Sequence, residues 1–337
     1  MNAPKPIEIT NTDYKDYLSI QYAFTNVCNY KCNYCWPDSH AGTSRWPDYD
    51  KILKNFDHLI TVYKGTGKKL VRLHLLGGEP TLWPKLGDFV KAIKEKHPDL
   101  RITMASNGSR TLRWWEEHAQ YFNDIHISVH HEFCDLDHIK RVLDCIYGKG
   151  SVMVSANVLM DPLAKDRCQE IANDLLEYPA EWLVKVWAVL DTNTRNLRNE
   201  YNQEELDYLE NKVKRKPPES YILKMQELGN IEKKTSAIIR YDDGTSIPYK
   251  TFALLKDKSN SFLGWDCNLG KDRITIQNNG RLQGTCGELK VFKDETFYIH
   301  DDDFVERFNA NLIQTVKCSM AFCGCSADIR LPKKKRV

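Results

Sequence analysis

Between residues 18 and 190, short apolar runs alternate with amphipathic stretches, and nothing else in the 337-residue chain limits its fold so tightly. Apolar, β-branched-rich runs fall at 18–25, 70–76, 101–106, 124–129, 151–160 and 182–190. Between them Ile52, Leu53, Phe56, Leu59, Ile60 and Tyr63 recur at helical spacing. Leu86, Phe89, Val90 and Ile93 do the same, in a helix that ends before Pro98. The stretches 111–122, 135–147 and 163–177 read alike. Strand–helix alternation requires parallel strands with right-handed crossovers. Six such units suit either an open, partial β/α barrel or a doubly wound sheet, and periodicity does not separate them.

The polar interruptions lie where such a fold carries chemistry, at the C-terminal ends of strands. The first run leads into Thr25-Asn26-Val27-Cys28-Asn29-Tyr30-Lys31-Cys32-Asn33-Tyr34-Cys35-Trp36, a CxxxCxxC loop. Three closely spaced thiolates suit three irons of a cubane [4Fe–4S] cluster, which normally takes four cysteines. The next cysteine is Cys134, so the fourth iron stays open to a small molecule. A zinc site would need a fourth ligand, for which His40 is the local candidate. Eleven cysteines, an odd number, with no secretory signal, argue against a disulfide framework and for a reducing cytoplasm. Gly77-Gly78-Glu79-Pro80 follows the second strand, Ser106-Asn107-Gly108 the third and His130-His131-Glu132 the fourth, while Asn157 interrupts the fifth.

The cysteine loop, with an aromatic residue (Tyr34) before its last cysteine, resembles the signature of radical S-adenosylmethionine enzymes. Gly77-Gly78-Glu79-Pro80 looks like that family's GGEP motif. The resemblance implies a six-unit partial (β/α)6 TIM-like barrel within an α/β fold. It implies a [4Fe–4S] cluster on Cys28, Cys32 and Cys35 whose open iron chelates S-adenosylmethionine. Tyr34 would pack near the adenine, and Gly77, Gly78, Glu79 and Pro80 would bind the methionine amino group. Ser106, Asn107 and Asn157 are assigned to the same cofactor, and His130 and Glu132 are the catalytic candidates. Reduction would cleave the cofactor to a 5′-deoxyadenosyl radical that abstracts hydrogen from a substrate C–H bond.

After residue 190 the character changes. A polar, charged bridge runs from 191 to 260, with a helical stretch near 203–215 ending in Lys212-Val213-Lys214-Arg215-Lys216, a second helix near 219–228 and a hairpin over 238–252. The remainder holds Cys267, Cys286, Cys318, Cys323 and Cys325, five cysteines for four places. A hairpin with an Asn279-Gly280 turn separates the first two, and an amphipathic helix near 302–316 leads to the others. Zinc and a second [4Fe–4S] cluster suit that outline equally on spacing. The arrangement resembles the twitch or SPASM extension of some radical S-adenosylmethionine enzymes, which implies an auxiliary [4Fe–4S] cluster over 261–330. Cys134, Cys145 and Cys168 read as small buried hydrophobes. The basic run Leu331 to Val337 resembles a nuclear-import string, yet four consecutive cations are more often a solvated end.

Hydrophobic content of 42% and charged content of 28% are those of a globular protein. No apolar stretch approaches the ~20 residues that span a bilayer, and a net charge of +2 gives no general attraction to nucleic acid. The expected partners are a small-molecule substrate (a sugar, amino acid or nucleoside derivative) and an electron donor such as flavodoxin or ferredoxin. The leading reaction class is oxidation or ring formation. The 17-residue segment before the first strand is too short for a leader-binding domain, so a peptide would need a separate presenting partner. The other readings are a tRNA-modifying enzyme using the basic stretch 212–216 and the basic tail, and a non-catalytic iron–sulfur sensor or scaffold.

Overall fold

The computed structural model describes residues 4–11, 16–43, 46–192, 197–229, 237–283, 297–309, 313–323 and 329–336. A first strand, β1 (Pro6–Thr10), precedes the alternating units. These are β2 (Tyr17–Ala23), α1 (Tyr49–Gly65), β3 (Leu70–Leu76), α2 (Leu86–Lys96), β4 (Arg101–Ser106), α3 (Leu112–His118), β5 (Asp124–Val129), α4 (Leu136–Tyr147), β6 (Met153–Met160), α5 (Lys165–Glu177) and β7 (Leu183–Ala188). Capping residues set the helix starts. Asp48 accepts the Lys51 N–H at 2.9 Å, and Asp135 accepts that of His138 at 3.0 Å.

The sheet neighbours run β2-β3-β4-β5-β6-β7, all parallel and in chain order. That single direction of winding excludes the doubly wound alternative, whose order reverses at a switch point. Alternate side chains separate the two faces. Val71, Leu73, Leu75, Ile102, Met104, Ile125 and Ile127 are fully buried and share one core with the helical residues Phe56, Leu59, Phe89, Val142 and Ile171. The opposite face is polar, with Arg72, His74, Thr103, Asp124, His126, Ser155 and Lys185 in neighbouring register.

The bridge continues with α6 (Gln203–Glu210), β8 (Val213–Arg215), α7 (Glu219–Glu227), β9 (Ile238–Tyr241), β10 (Ser246–Pro248) and α8 (Thr251–Lys256). The helix expected to reach 215 stops at Glu210, and its basic end is the strand β8, antiparallel to β7. Three of its cations lie on ring faces. Lys212 lies over Trp187 at 3.8 Å, Lys214 over Tyr208 at 3.3 Å, and Arg215 over Trp182 at 4.3 Å.

The last elements are β11 (Asp266–Cys267), β12 (Arg273–Ile276), β13 (Leu282–Gln283), α9 (Phe304–Arg307), β14 (Val316–Lys317) and β15 (Lys333–Lys334). The hairpin β12–β13 forms as expected, but β12 also enters the main sheet, parallel to β2. Of the helix foreseen over 302–316, the described residues form one turn at 304–307, and 310–312 lie outside them. A second, antiparallel sheet runs β10-β9-β1-β15-β11-β14. Lys334, Lys335 and Arg336 are exposed, as expected of a solvated end, and Lys333 is the exception. Lys333 is buried in the second sheet, donates to the Ile329 carbonyl at 3.1 Å and sits 4.4 Å from the Phe262 ring, while Arg336 pairs with Asp266 at 2.8 Å.

Buried polar links join the late segments to the main sheet. Lys68 and Asp272 meet at 2.6 Å with side chains 6% and 4% exposed, and Arg273 bonds Ser19 at 3.0 Å. The Asn55 amide donates to the Ile299 carbonyl at 2.7 Å.

Candidate active site

The cysteine loop leaves β2 and docks on the end of β3 through backbone alone. Phe24 N–H donates to Leu76 O at 2.7 Å, Gly78 N–H to Thr25 O at 2.6 Å, and Glu79 N–H to Val27 O at 2.8 Å. Two glycines permit this approach. A Cβ on Gly77, whose φ is +140°, would lie 2.4 Å from Thr25 O, and one on Gly78 would lie 2.3 Å from Val27 O. The loop thus closes over a cavity of about 140 Å³ lined by Cys28, Cys32, Cys35, Gly77, Gly78, Ser106, Asn107 and His130. Ser128 and His40 line it too. Ser128 was not singled out from sequence, although a serine two residues before His130 shares its strand-end position.

Burial pushes all three thiols toward their neutral form, the Cys32 thiol up to about 12. A bound cation reverses that preference, because metal ligation requires thiolate. N–H donors already aim at the sulfurs, with Tyr30 N 3.4 Å from Cys28 Sγ. Among the described residues, no three His, Cys, Asp or Glu side chains converge as one metal ion would need. Three cysteines lining one cavity at this spacing suit a group whose thiolates bind separate irons. Asn157 adds a second sign of fit. It is buried opposite Ser128, and its Oδ1 has no hydrogen-bond partner in the protein. Buried acceptors of this kind are ordinarily satisfied.

Glu79 departs from its sequence assignment. It is 1% exposed, absent from the cavity wall, and holds four donors. Oε1 accepts Thr81 N–H at 3.0 Å, Thr81 O–H at 2.6 Å and Ser106 O–H at 2.8 Å, while Oε2 accepts Asn107 N–H at 2.7 Å. Burial nonetheless raises its pKa above the ordinary carboxylate value. The carboxyl ties the β3 and β4 end loops together. Pro80, buried at the start of a short 3-10 turn, fixes the backbone beside it.

His130 faces the cavity. Its Nδ1 lies 3.4 Å from Cys32 Sγ and 2.9 Å from the Tyr34 hydroxyl. Burial lowers its pKa to about 4, so it is neutral at pH 7. Tyr34 is buried, and its ring stacks on both His130 and His131. Glu132 does not line the cavity. Its Oε1 accepts the Asn33 N–H at 3.0 Å, which makes it a clamp on the cysteine loop instead of a group facing a reactant. The structure thus gathers the three cysteines, Gly77, Gly78, Ser106, Asn107 and His130 on one cavity, and sets Glu79 and Glu132 behind it.

Of the C-terminal cysteines, Cys267, Cys318 and Cys323 are buried about the second sheet. Cys267 ends β11, Cys318 N–H donates to Trp265 O at 2.8 Å, and Cys323 N–H to Asn260 O at 2.9 Å. Cys286 and Cys325 lie outside the described residues. Cys168 is buried and Cys134 and Cys145 are half-buried against the main core.

Similarity to known proteins falls on the part of the chain that carries this cavity. Residues 22–144 match the family model of the Radical SAM superfamily, and the chain carries a domain of that superfamily. GTP 3′,8-cyclase of Sulfurimonas denitrificans is 27% identical over 171 residues, 48% of this chain and 51% of that protein. GTP 3′,8-cyclase of Haemophilus ducreyi is 26% identical over 129 residues, 37% of this chain and 36% of that protein. The chain thus spans between about a third and a half of these relatives' length. In fold it is similar to histidine-tagged anSMEcpe with bound AdoMet (TM-score 0.51, 15% identity, 88% of this chain and 82% of that one). It is similar to Streptococcus suis SuiB bound to S-adenosylmethionine (TM-score 0.51, 14% identity, 88% and 67%). No helix among the described residues is long and apolar enough to cross a membrane.

Proposed function

We propose that this chain is a radical S-adenosylmethionine enzyme acting on a small molecule. The observation that carries the reading is the set of three thiols, Cys32 buried and Cys28 and Cys35 half-buried, on a glycine-docked loop facing one cavity at the C-terminal ends of β2 to β5. Cys28, Cys32 and Cys35 would hold a [4Fe–4S] cluster, and the cavity beside Gly77, Gly78, Asn107 and Asn157 would hold S-adenosylmethionine. When bound, these groups supply reductive cleavage of the sulfonium and a carbon radical able to take hydrogen from an unactivated C–H bond. The chain's own part is positioning. Neutral His130 orders Tyr34 and Cys32, Glu79 fixes the β3 and β4 loops without touching the reactants, and Glu132 holds the cysteine loop shut.

The parallel units would form a partial (β/α)6 barrel. Cys267, Cys318 and Cys323, with Cys286 or Cys325, would carry an auxiliary cluster that accepts an electron from a substrate radical. Oxidation or ring formation on a nucleoside-type or similar small molecule is the outcome supported by the relatives named for GTP cyclisation. The electron donor would be a flavodoxin or ferredoxin, and the compartment the cytoplasm.

The test is anaerobic reconstitution with iron and sulfide, followed by reduction with S-adenosylmethionine present. The parent should form 5′-deoxyadenosine. Cys32→Ala should form none while retaining roughly one cluster's iron. Undiminished 5′-deoxyadenosine from Cys32→Ala removes the assignment.

A further inference from the structure

The 3-10 turn Pro37–His40 carries a group that the proposed function leaves unused. The turn begins two residues after Cys35 and is held from both sides. Ser39 N–H donates to the Trp36 carbonyl at 2.9 Å, and Gly42 N–H donates to the Asn26 carbonyl at 2.9 Å. The Ser39 carbonyl lies against Gly78, where an added Cβ would meet it at 2.9 Å. This anchoring sets His40 in the wall of the cysteine cavity. The residue is half-buried, but its Nε2 is shut off from solvent and has no hydrogen-bond partner among the described residues. A buried polar atom is ordinarily satisfied.

The three thiols of the cavity already have neighbours of their own. Tyr30 N–H reaches Cys28 Sγ at 3.4 Å. Cys32 Sγ meets the Tyr34 hydroxyl and lies 3.4 Å from His130 Nδ1. Cys35 is bonded by the Trp36 N–H and the Ser39 hydroxyl. His40 serves none of them, so its Nε2 is left for whatever fills the cavity. Beside Cys35, an iron–sulfur group presents thiolate and sulfide, which are anionic acceptors. Nε2 carries a proton in the imidazolium and in one of the two neutral tautomers, and an anionic neighbour selects those forms.

We propose that His40 tunes the cluster that Cys28, Cys32 and Cys35 would hold, donating through Nε2–H to a sulfide on its Cys35 side. The inference rests on the radical S-adenosylmethionine reading and deepens it, since it gives a role to a residue outside the cysteine, glycine and strand-end motifs. Reduction places one more electron on the cluster and makes its sulfurs better acceptors. The hydrogen bond is then stronger in the reduced state, and it raises the reduction potential. The electron donor needs less driving force in consequence.

Anaerobic redox titration of the reconstituted full-length protein, followed by EPR without S-adenosylmethionine, tests this. The signal missing from Cys32→Ala belongs to this cluster. His40→Leu should keep the parent's iron content and shift the one-electron equilibrium about tenfold toward the oxidised form, a midpoint about 59 mV more negative. His40→Ala takes its place if the leucine variant loads less iron. His40→Gln keeps an N–H donor and should titrate close to the parent. Four results overturn the proposal with the cluster in place. They are an unmoved midpoint in the leucine and alanine variants, an equal shift in the glutamine variant, a shift that appears only once S-adenosylmethionine is added, and imidazole nitrogen bound directly to iron in pulsed EPR. A parent that assembles no cluster on these cysteines sinks the functional reading itself, and this inference with it.

Discussion

Replacing Glu79 with glutamine removes one charge and one acceptor from a point where four donors converge. Three of them, Thr81 N–H, Thr81 O–H and Ser106 O–H, reach Oε1, and Asn107 N–H reaches Oε2. A glutamine offers a single acceptor oxygen, so its amide nitrogen must face one of the two backbone N–H groups. Neither can turn away, because each is fixed in a strand-end loop. An unmade buried donor costs about 1–3 kcal/mol, and the lost charge on the remaining bonds adds a comparable amount. The expected loss is therefore about 2–4 kcal/mol, a large share of the ~5–15 kcal/mol typical of a folded domain. Equilibrium urea unfolding of the cofactor-free protein, followed by tryptophan fluorescence, reads this directly. Glu132→Gln is the control, since it perturbs one partly exposed hydrogen bond and should cost less than about 1 kcal/mol. Unchanged stability of Glu79→Gln without cofactor, with a defect appearing only as weakened S-adenosylmethionine binding, would refute the loop-staple reasoning and return the carboxylate to the cavity.

Three further outcomes are expected. Gly78→Ala places a Cβ 2.3 Å from Val27 O and 2.9 Å from Ser39 O, so the cysteine loop must shift and iron incorporation on reconstitution should fall severalfold; full iron loading would show that the loop tolerates the shift. His300 is bonded to Tyr22 at 2.9 Å, and burial lowers its pKa to about 4 from the ordinary ~6.5. Its unfolded form binds the proton more readily, so stability present above about pH 6.5 should drain away as pH falls toward 4. His300→Gln should flatten that part of the curve in urea titrations. Lys68→Met strands Asp272 in a buried site and should cost about 3–5 kcal/mol. The double variant with Asp272→Asn should cost clearly less than the two single losses together, and strict additivity would deny the pair its coupling.

The main sheet was legible because its signals are local. Val71, Leu73 and Leu75 alternate with Arg72 and His74, and each polar cluster stands one or two residues beyond its strand. The candidate cavity was legible for the same reason, since the three cysteines and both glycines occupy successive strand ends. Direction was not legible. Nothing in Gly77-Gly78-Glu79-Pro80 tells whether the carboxylate turns to the cavity or to Thr81 and Asn107, which depends on how the neighbouring loop packs. Short elements paired over long separations escaped as well. β12 has four residues and finds β2 more than 250 positions away, with Arg273 opposite Ser19. Lys333 read as part of a solvated run because composition reports charge, whereas it buries its stem in a strand and returns its amine to a nearby carbonyl, unlike the exposed Lys334, Lys335 and Arg336. The ring partners of Lys212, Lys214 and Arg215, which are Trp187, Tyr208 and Trp182, were not legible from spacing either.

The entry of β12 beside β2 has a consequence for biosynthesis. Until Ile276 has left the ribosome, the emerging chain carries β2 with one flank of backbone donors and acceptors exposed, a ready template for pairing with another nascent copy. Expression slowed between residues 190 and 276 should therefore favour inclusion bodies, and a coding design that speeds that stretch should favour recoverable protein.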